Sequence, residues 1–266
     1  MMEENELIEK ITKEVLLKLE KMNKSEGSAK GNTTEKSASI NTISASELAG
    51  YIDHTLLKPG ATESQFAQLC EEALQYKFKS VCVNSSWIPY VAKKLRGSTV
   101  KVCSVIGFPL GEMDTRSKAF EARNALANGA HELDMVINTS ALKSGNLKLV
   151  EEDIRAIKRV CRSTTLLKVI IETSLLTDAE KVLACEISKK VGVDFVKTST
   201  GFTGAGATVE DVALMRRVVG PKIGVKASGG IRDYKTAVAM IQAGANRIGA
   251  GASVAIITGS PATGSY

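Results

Sequence analysis

Apolar positions change their spacing along this chain, and each change marks a different element. Over residues 1–22, Ile8, Ile11, Val15, Leu19 and Met22 recur every three or four residues with Glu and Lys between them. That spacing places one apolar stripe on an amphipathic helix. Residues 23–42 turn to Ser, Gly, Thr, Asn and Lys with almost nothing apolar. Such a segment buries too little to offset its ordering entropy, so it predicts a flexible linker. Over residues 43–258, short β-branched runs alternate with helical spacing: Ile52–Leu57, Ser80–Val83, Val100–Ile106, Glu132–Ile137, Leu166–Ile171, Phe195–Thr198, Ile223–Lys226 and Arg247–Ile248. Eight strand-helix units in about 215 residues fit a closed parallel barrel better than an open doubly wound sheet. The pattern predicts an α/β protein, a single (βα)8 TIM barrel, with a small, polar, loosely held tail at residues 259–266.

Composition narrows the function classes. A chain of 266 residues, 44% hydrophobic, suits one large core. No apolar run approaches the ~18 residues of a membrane span, and the N-terminus lacks a signal-peptide core. A soluble, cytoplasmic protein is expected. Five scattered cysteines without a C-x-x-C pair, and only two histidines, His54 and His131, argue against a zinc or disulfide framework and for a metal-free site. The net charge of +6 comes with only 5% aromatic residues. It suits anionic small molecules better than nucleic acid.

In barrels of this kind the reacting groups sit at the carboxyl ends of the strands. Lys197 closes the sixth run and Lys226 the seventh. Neighbouring strands lie ~4.8 Å apart, so two inward lysines at one height feel each other's charge, and one is expected to have a depressed pKa. A neutral amine, scarce at a model value of ~10.4, is the form that attacks a carbonyl. The alternative is that each lysine snorkels from its strand end to solvent. In the fourth run Glu132, Asp134 and Asn138 share one face, opposite Leu133, Met135 and Ile137. Asp134 there could relay protons or form a structural ion pair with Lys168. Glycines follow the last three runs: Gly201, Gly204 and Gly206; Gly229 and Gly230; Gly249 and Gly251. They suit either tight turns or a phosphate cradle of backbone N–H groups.

The segments Asp53-His54-Thr55-Leu56-Leu57, Val81-Cys82-Val83-Asn84, Glu132-Leu133-Asp134-Met135-Val136-Ile137-Asn138, Lys168-Val169-Ile170-Ile171-Glu172-Thr173, Lys197-Thr198-Ser199-Thr200-Gly201 and Lys226-Ala227-Ser228-Gly229-Gly230-Ile231-Arg232 together resemble the deoxyribose-phosphate aldolases, over about Ser46 to Thr258. The resemblance implies a class I aldolase that reversibly cleaves 2-deoxy-D-ribose 5-phosphate to D-glyceraldehyde 3-phosphate and acetaldehyde, without cofactor or metal, as a dimer or tetramer. It implies Lys197 as the Schiff-base nucleophile, Asp134 as the proton relay, Lys226 as the cation that tunes Lys197, and the terminal Tyr266 as an acid-base group at the enamine carbon. The implied substrate-binding positions are Asp53, Thr55, Cys82, Lys168, Thr198, Gly201, Gly204, Gly229, Gly230, Arg232, Gly249 and Gly251, with Cys82 close to the site but not needed for reaction. The chain departs from the pattern at Phe202, where some members carry a phosphate-binding lysine, and at Gly251 and Ala252, where some carry serines. His131 stands where an acidic residue is common, and surface packing is its expected role.

Residues 7–22 lie outside that resemblance and are similar to the encapsulation peptides that carry enzymes into bacterial microcompartments. A helix too short to be stable alone gains order when its stripe docks on a partner, here a shell protein. The alternatives are packing on its own barrel or another subunit, or lying on a membrane surface, which its balanced charges disfavour. Two other functions fit the residues: a Schiff-base aldolase for another short sugar phosphate, and a non-catalytic cargo or scaffold barrel.

Overall fold

The computed structural model describes residues 43–260 and, beyond them, Leu17. The helix expected over residues 1–22, the linker at 23–42 and Tyr266 lie outside the described residues. Within them, eight strands form one closed parallel barrel: β1 Ile52–Leu56, β2 Ser80–Val83, β3 Lys101–Ile106, β4 Glu132–Val136, β5 Leu166–Ile170, β6 Phe195–Lys197, β7 Gly224–Ser228 and β8 Arg247–Ala250. Each strand pairs with the next, and β1 pairs with β8 through Asp53↔Gly249 and His54↔Ala250. No helix among the described residues is long and apolar enough to cross a membrane.

Alternation along each strand sorts the side chains into two sets. Ile52, Val81, Val102, Leu133, Val169, Val196, Val225 and Ile248 point outward and join the buried apolar faces of the surrounding helices in the main core. The helix Leu147–Val160 shows how: Val150, Ile154 and Ile157 are buried, and the Asn146 side chain caps its start by accepting from Leu149 N at 3.1 Å. Each such aliphatic side chain, fully buried, stabilises the fold by about 1.5–3 kcal/mol. The domain starts on the helix Ala45–Ala49, whose capping box joins Ser44 and Glu47 and whose Leu48 and Ala49 are buried. The Tyr234 hydroxyl donates to Ile43 O at 2.8 Å and ties that segment down.

The inward set differs from the branched aliphatic filling usual in such barrels. Asp53, Glu132, Asp134, Lys168, Lys197, Lys226 and Arg247 are all buried there, beside a small apolar cluster of Leu57, Cys82, Cys103 and Val105. Room for them comes from glycine on neighbouring strands. A Cβ at Gly224 would sit 2.1 Å from the Phe195 ring, and one at Gly249 would sit 3.0 Å from Lys226 Cε.

Asn138 departs from its expected place on the inward face. β4 stops at Val136, and Asn138 instead caps the helix Thr139–Lys143, accepting from Ala141 N at 2.7 Å. An Asn followed by a helix satisfies an orphan N–H better than it continues a strand.

Candidate active site

Strand register builds the site. Asp134 pairs with Lys168 and Lys197 with Lys226, while Lys168 itself pairs with Phe195, so the two pairs project into the lumen from β4 to β7 one inward position apart. Asp134 is the point where they meet. Its Oδ2 accepts from Lys197 Nζ at 2.9 Å and from Lys226 Nζ at 2.7 Å. Its Oδ1 accepts from Lys168 Nζ at 2.8 Å and from Cys103 Sγ at 3.1 Å. Both roles weighed for Asp134 are therefore compatible with one geometry: it is ion-paired to Lys168 and within proton-transfer distance of Lys197.

The network continues below. Lys226 Nζ lies 2.5 Å from Asp53 Oδ2, Lys168 Nζ lies 2.6 Å from Glu132 Oε2, and Arg247 bridges Asp53 and Glu132, the latter at 2.8 Å. Three carboxylates, Asp53, Glu132 and Asp134, thus face three cations, Lys168, Lys226 and Arg247, before Lys197 is added. A buried charge persists only when paired, and Lys197 is the cation in excess of the pairing. The sequence missed Arg247 and Cys103 as members of this set. Alternation carried a signal for Cys103, two residues before the inward Val105 on its run, but the eighth run as read, Arg247–Ile248, held no second inward position to set the phase for Arg247.

Burial alone would raise Asp134, and the ammonium groups of Lys168, Lys197 and Lys226 outweigh it and hold the carboxyl well below its ordinary range. Asp53 is likewise held low, burial being overcome by Arg247, Lys226 and Lys168. Burial would lower Lys226, but Asp134 and Asp53 raise it above the ordinary lysine value. This corrects the expectation that Lys226 and Lys197 oppose each other as bare like charges: a carboxylate oxygen lies between them, and Lys226 is a fixed cation. The Cys103 thiol lowers Cys82 through their hydrogen bond, and burial pushes Cys103 up. Among the described residues, Cys82, Cys103 and Asp134 form the one cluster with metal-ligand spacing, their ligand atoms lying within 4.8 Å of one another. Three ammonium groups already on Asp134 would repel a metal cation there.

The remaining candidates are spread around the mouth. Thr55 donates to Asp53 O at 2.9 Å. Thr198 stitches β6 to β7, donating to Ser228 O and accepting from Ser228 N, both at 3.0 Å. The loops that carry Gly201–Gly206 and Gly229–Gly230 touch, with Ala207 N donating to Gly229 O at 3.0 Å. Gly229 and Gly230 both have positive φ, 89° and 75°, a pair of conformations that side chains would strain. Arg232 follows them and is exposed, while Gly251 lies beside Thr55 O. Phe202 packs edge-on against Phe108 at 5.2 Å between ring centroids. Glu172, which the sequence reading did not single out, is buried with left-handed backbone at φ 57°. Its Oε2 accepts from Thr200 N at 3.1 Å, Thr200 Oγ1 at 2.5 Å and Thr203 Oγ1 at 2.6 Å, so one carboxylate shapes the loop after β6.

A sequence profile described as DeoC/LacD family aldolase matches residues 48–258. A deoxyribose-phosphate aldolase of Streptococcus gordonii is 61% identical over 220 residues, which span 83% of this chain and 100% of the relative. One from a Geobacillus strain is 59% identical over 82% of this chain and 98% of its own. The deoxyribose phosphate aldolase of Aeropyrum pernix, solved as a tetramer, superposes with a TM-score of 0.76 at 36% identity, over 80% of this chain and 91% of the other.

Proposed function

The chain belongs to the DeoC/LacD family of aldolases, and from that membership we propose that it reversibly cleaves 2-deoxy-D-ribose 5-phosphate to D-glyceraldehyde 3-phosphate and acetaldehyde through an imine on Lys197. The observation that carries this reading is the position of Lys197 as the unbalanced amine in a network that is otherwise charge-neutral, with Asp134 at 2.9 Å. The Lys197 amine attacks the C1 aldehyde, and the carbinolamine loses its oxygen as water. Asp134 supplies and takes back the protons of these two steps. The resulting iminium draws in the electrons of the C2–C3 bond as it breaks. The C3 hydroxyl gives up its proton and becomes the aldehyde of glyceraldehyde 3-phosphate. The enamine left on Lys197 takes a proton at C2 and is hydrolysed to acetaldehyde, which restores the amine. Lys226, a fixed cation, holds Asp134 ionised in the resting site, ready to take the first proton.

The phosphate end is assigned to the contiguous loops of Gly201, Gly204, Gly229 and Gly230 with Arg232, where backbone N–H groups and one guanidinium suit an anion. Tyr266 is assigned to protonation at C2. Residues 7–22 are assigned to docking on a microcompartment shell protein, and the barrel to a dimer or tetramer.

The test is reduction with sodium borohydride in the presence of 2-deoxyribose 5-phosphate, followed by intact-mass and peptide mapping. A reduced adduct on Lys197, absent in Lys197→Ala, is expected. A folded protein that carries no adduct, or carries it elsewhere, would overturn the reading.

A further inference from the structure

A second cavity opens at the amino-terminal ends of the strands, away from the mouth that carries the lysines. It measures about 360 Å³ and is lined by Lys101 at the start of β3, His131 and Glu132 at the start of β4, and Arg162, Thr164 and Thr165 ahead of β5. We propose that this cavity binds a phosphate dianion, either inorganic phosphate or the phosphate of a small phosphorylated metabolite.

Its donors are unspent. Lys101 and Arg162 are exposed and take part in no ion pair among the described residues. The Thr165 hydroxyl is buried and accepts from Arg162 N at 3.3 Å, which leaves its proton for another acceptor. His131 Nδ1 accepts from Val102 N at 3.1 Å, so the neutral ring carries its proton on Nε2. The one carboxylate in the lining does not oppose an anion. Glu132 turns its oxygens into the barrel, to Arg247 at 2.8 Å and Lys168 at 2.6 Å, where they are neutralised. The cavity therefore offers two charged donors, a hydroxyl and an imidazole N–H around a space larger than one phosphate, the set that charge-assisted phosphate binding uses. Burial, with Lys101 beside it, holds the imidazole below its ordinary value against the pull of Glu132. At neutral pH His131 is thus a neutral donor, and a bound dianion would add to the pull of Glu132 and raise its titration.

The site gives His131 a role that the aldolase chemistry leaves it without. It is tested by NMR on the full chain, following the His131 ring and the Thr165 amide during titration with inorganic phosphate and, separately, with glycerol 3-phosphate, at matched ionic strength. Expected are saturable shifts of both residues, an upward move of the His131 titration midpoint, and binding weakened roughly tenfold or more in Lys101→Ala/Arg162→Ala. Both substituted residues are exposed, so the variant keeps the fold. Tighter saturation by glycerol 3-phosphate assigns the site to a phosphate ester, and equal saturation assigns it to free phosphate. Shifts confined to residues 229–232 at the other end of the barrel, or a His131 response that does not saturate or survives in the double variant, overturn the proposal.

Discussion

Lys197 and Lys226 stand side by side on β6 and β7 and share Asp134 Oδ2, but they differ in what else they hold. Lys226 also contacts Asp53 at 2.5 Å, and Lys197 is the cation beyond the balanced set. Lys197→Met should therefore abolish imine formation while its urea midpoint stays near that of the parent. Lys226→Met takes one cation from two buried carboxylates, which keep Lys168, Lys197 and Arg247 as partners. It should cost more stability than Lys197→Met, though less than the roughly 3–5 kcal/mol of a fully uncompensated buried charge. Equal losses in the two variants would show that the charge pairing has been misassigned. Asp134→Asn leaves three ammonium groups without their common anion, and kcat should fall by roughly 10²–10⁴-fold, the usual size of a general acid-base contribution. At this scale much was legible in the sequence. Alternation set Asp134 opposite the apolar face of its strand and strand-end position turned Lys197 and Lys226 inward, while Asp53 was reached through the resemblance. The expected depression of one lysine failed for Lys226 because alternation states which way a side chain points, not which carboxylate reaches it across the lumen from three strands away.

Strand positions were also legible; the amino ends agree to within one residue, and the larger differences lie at the carboxyl ends. The seventh run was read as ending at Lys226 and the eighth at Ile248, whereas β7 runs on to Ser228 and β8 to Ala250. Ser, Gly and Ala have little β-propensity, so nothing in their types announces a strand. They are paired because barrel closure requires it, through Ser228↔Gly249 and His54↔Ala250. These small residues also keep the mouth open around Lys226. A Cβ at Gly249 would come 2.2 Å from Ser228 Oγ and 3.0 Å from Lys226 Cε. Gly249→Ala should lower kcat and destabilise the fold by about 1–3 kcal/mol, the range for overpacking, as read by steady-state kinetics and denaturation. The loop after β6 depends on Glu172 in the same way. Glu172→Gln replaces an acceptor by a donor facing Thr200 and Thr203, and should raise KM for a phosphorylated substrate more than it lowers kcat. An equal fall in kcat with KM unchanged would exclude a positioning role at the phosphate end.

At the scale of the whole molecule, the buried network sets how the fold responds to pH. Asp53, Glu132 and Asp134 are held below their ordinary values. Each stabilises the fold above its unfolded pKa of ~4, and that contribution is lost as pH falls through the folded value. Lys168 and Lys226 are held above theirs. Each stabilises below ~10.4, and its contribution is lost as pH rises through the folded value. Asp153, which burial pushes up, opposes the carboxylates over the acid range, as one group against three. The urea midpoint should be flat from about pH 7 to 9 and fall on both sides, with His131, held below its ordinary value of ~6.5, adding to the loss on the acid side. A steady slope through neutrality would contradict the pairing. The barrel architecture itself followed from the count of strand-helix units, while its charged lumen did not, since composition does not reveal which charges are buried together. That lumen has a consequence for catalytic speed. Its dipoles and ions are pinned by strands on every side, so they need not rotate when charge moves from amine to iminium and back. The interior acts as a solvent already oriented for the ionic intermediate, and the reorganisation energy that water would demand at each step has been met once, during folding.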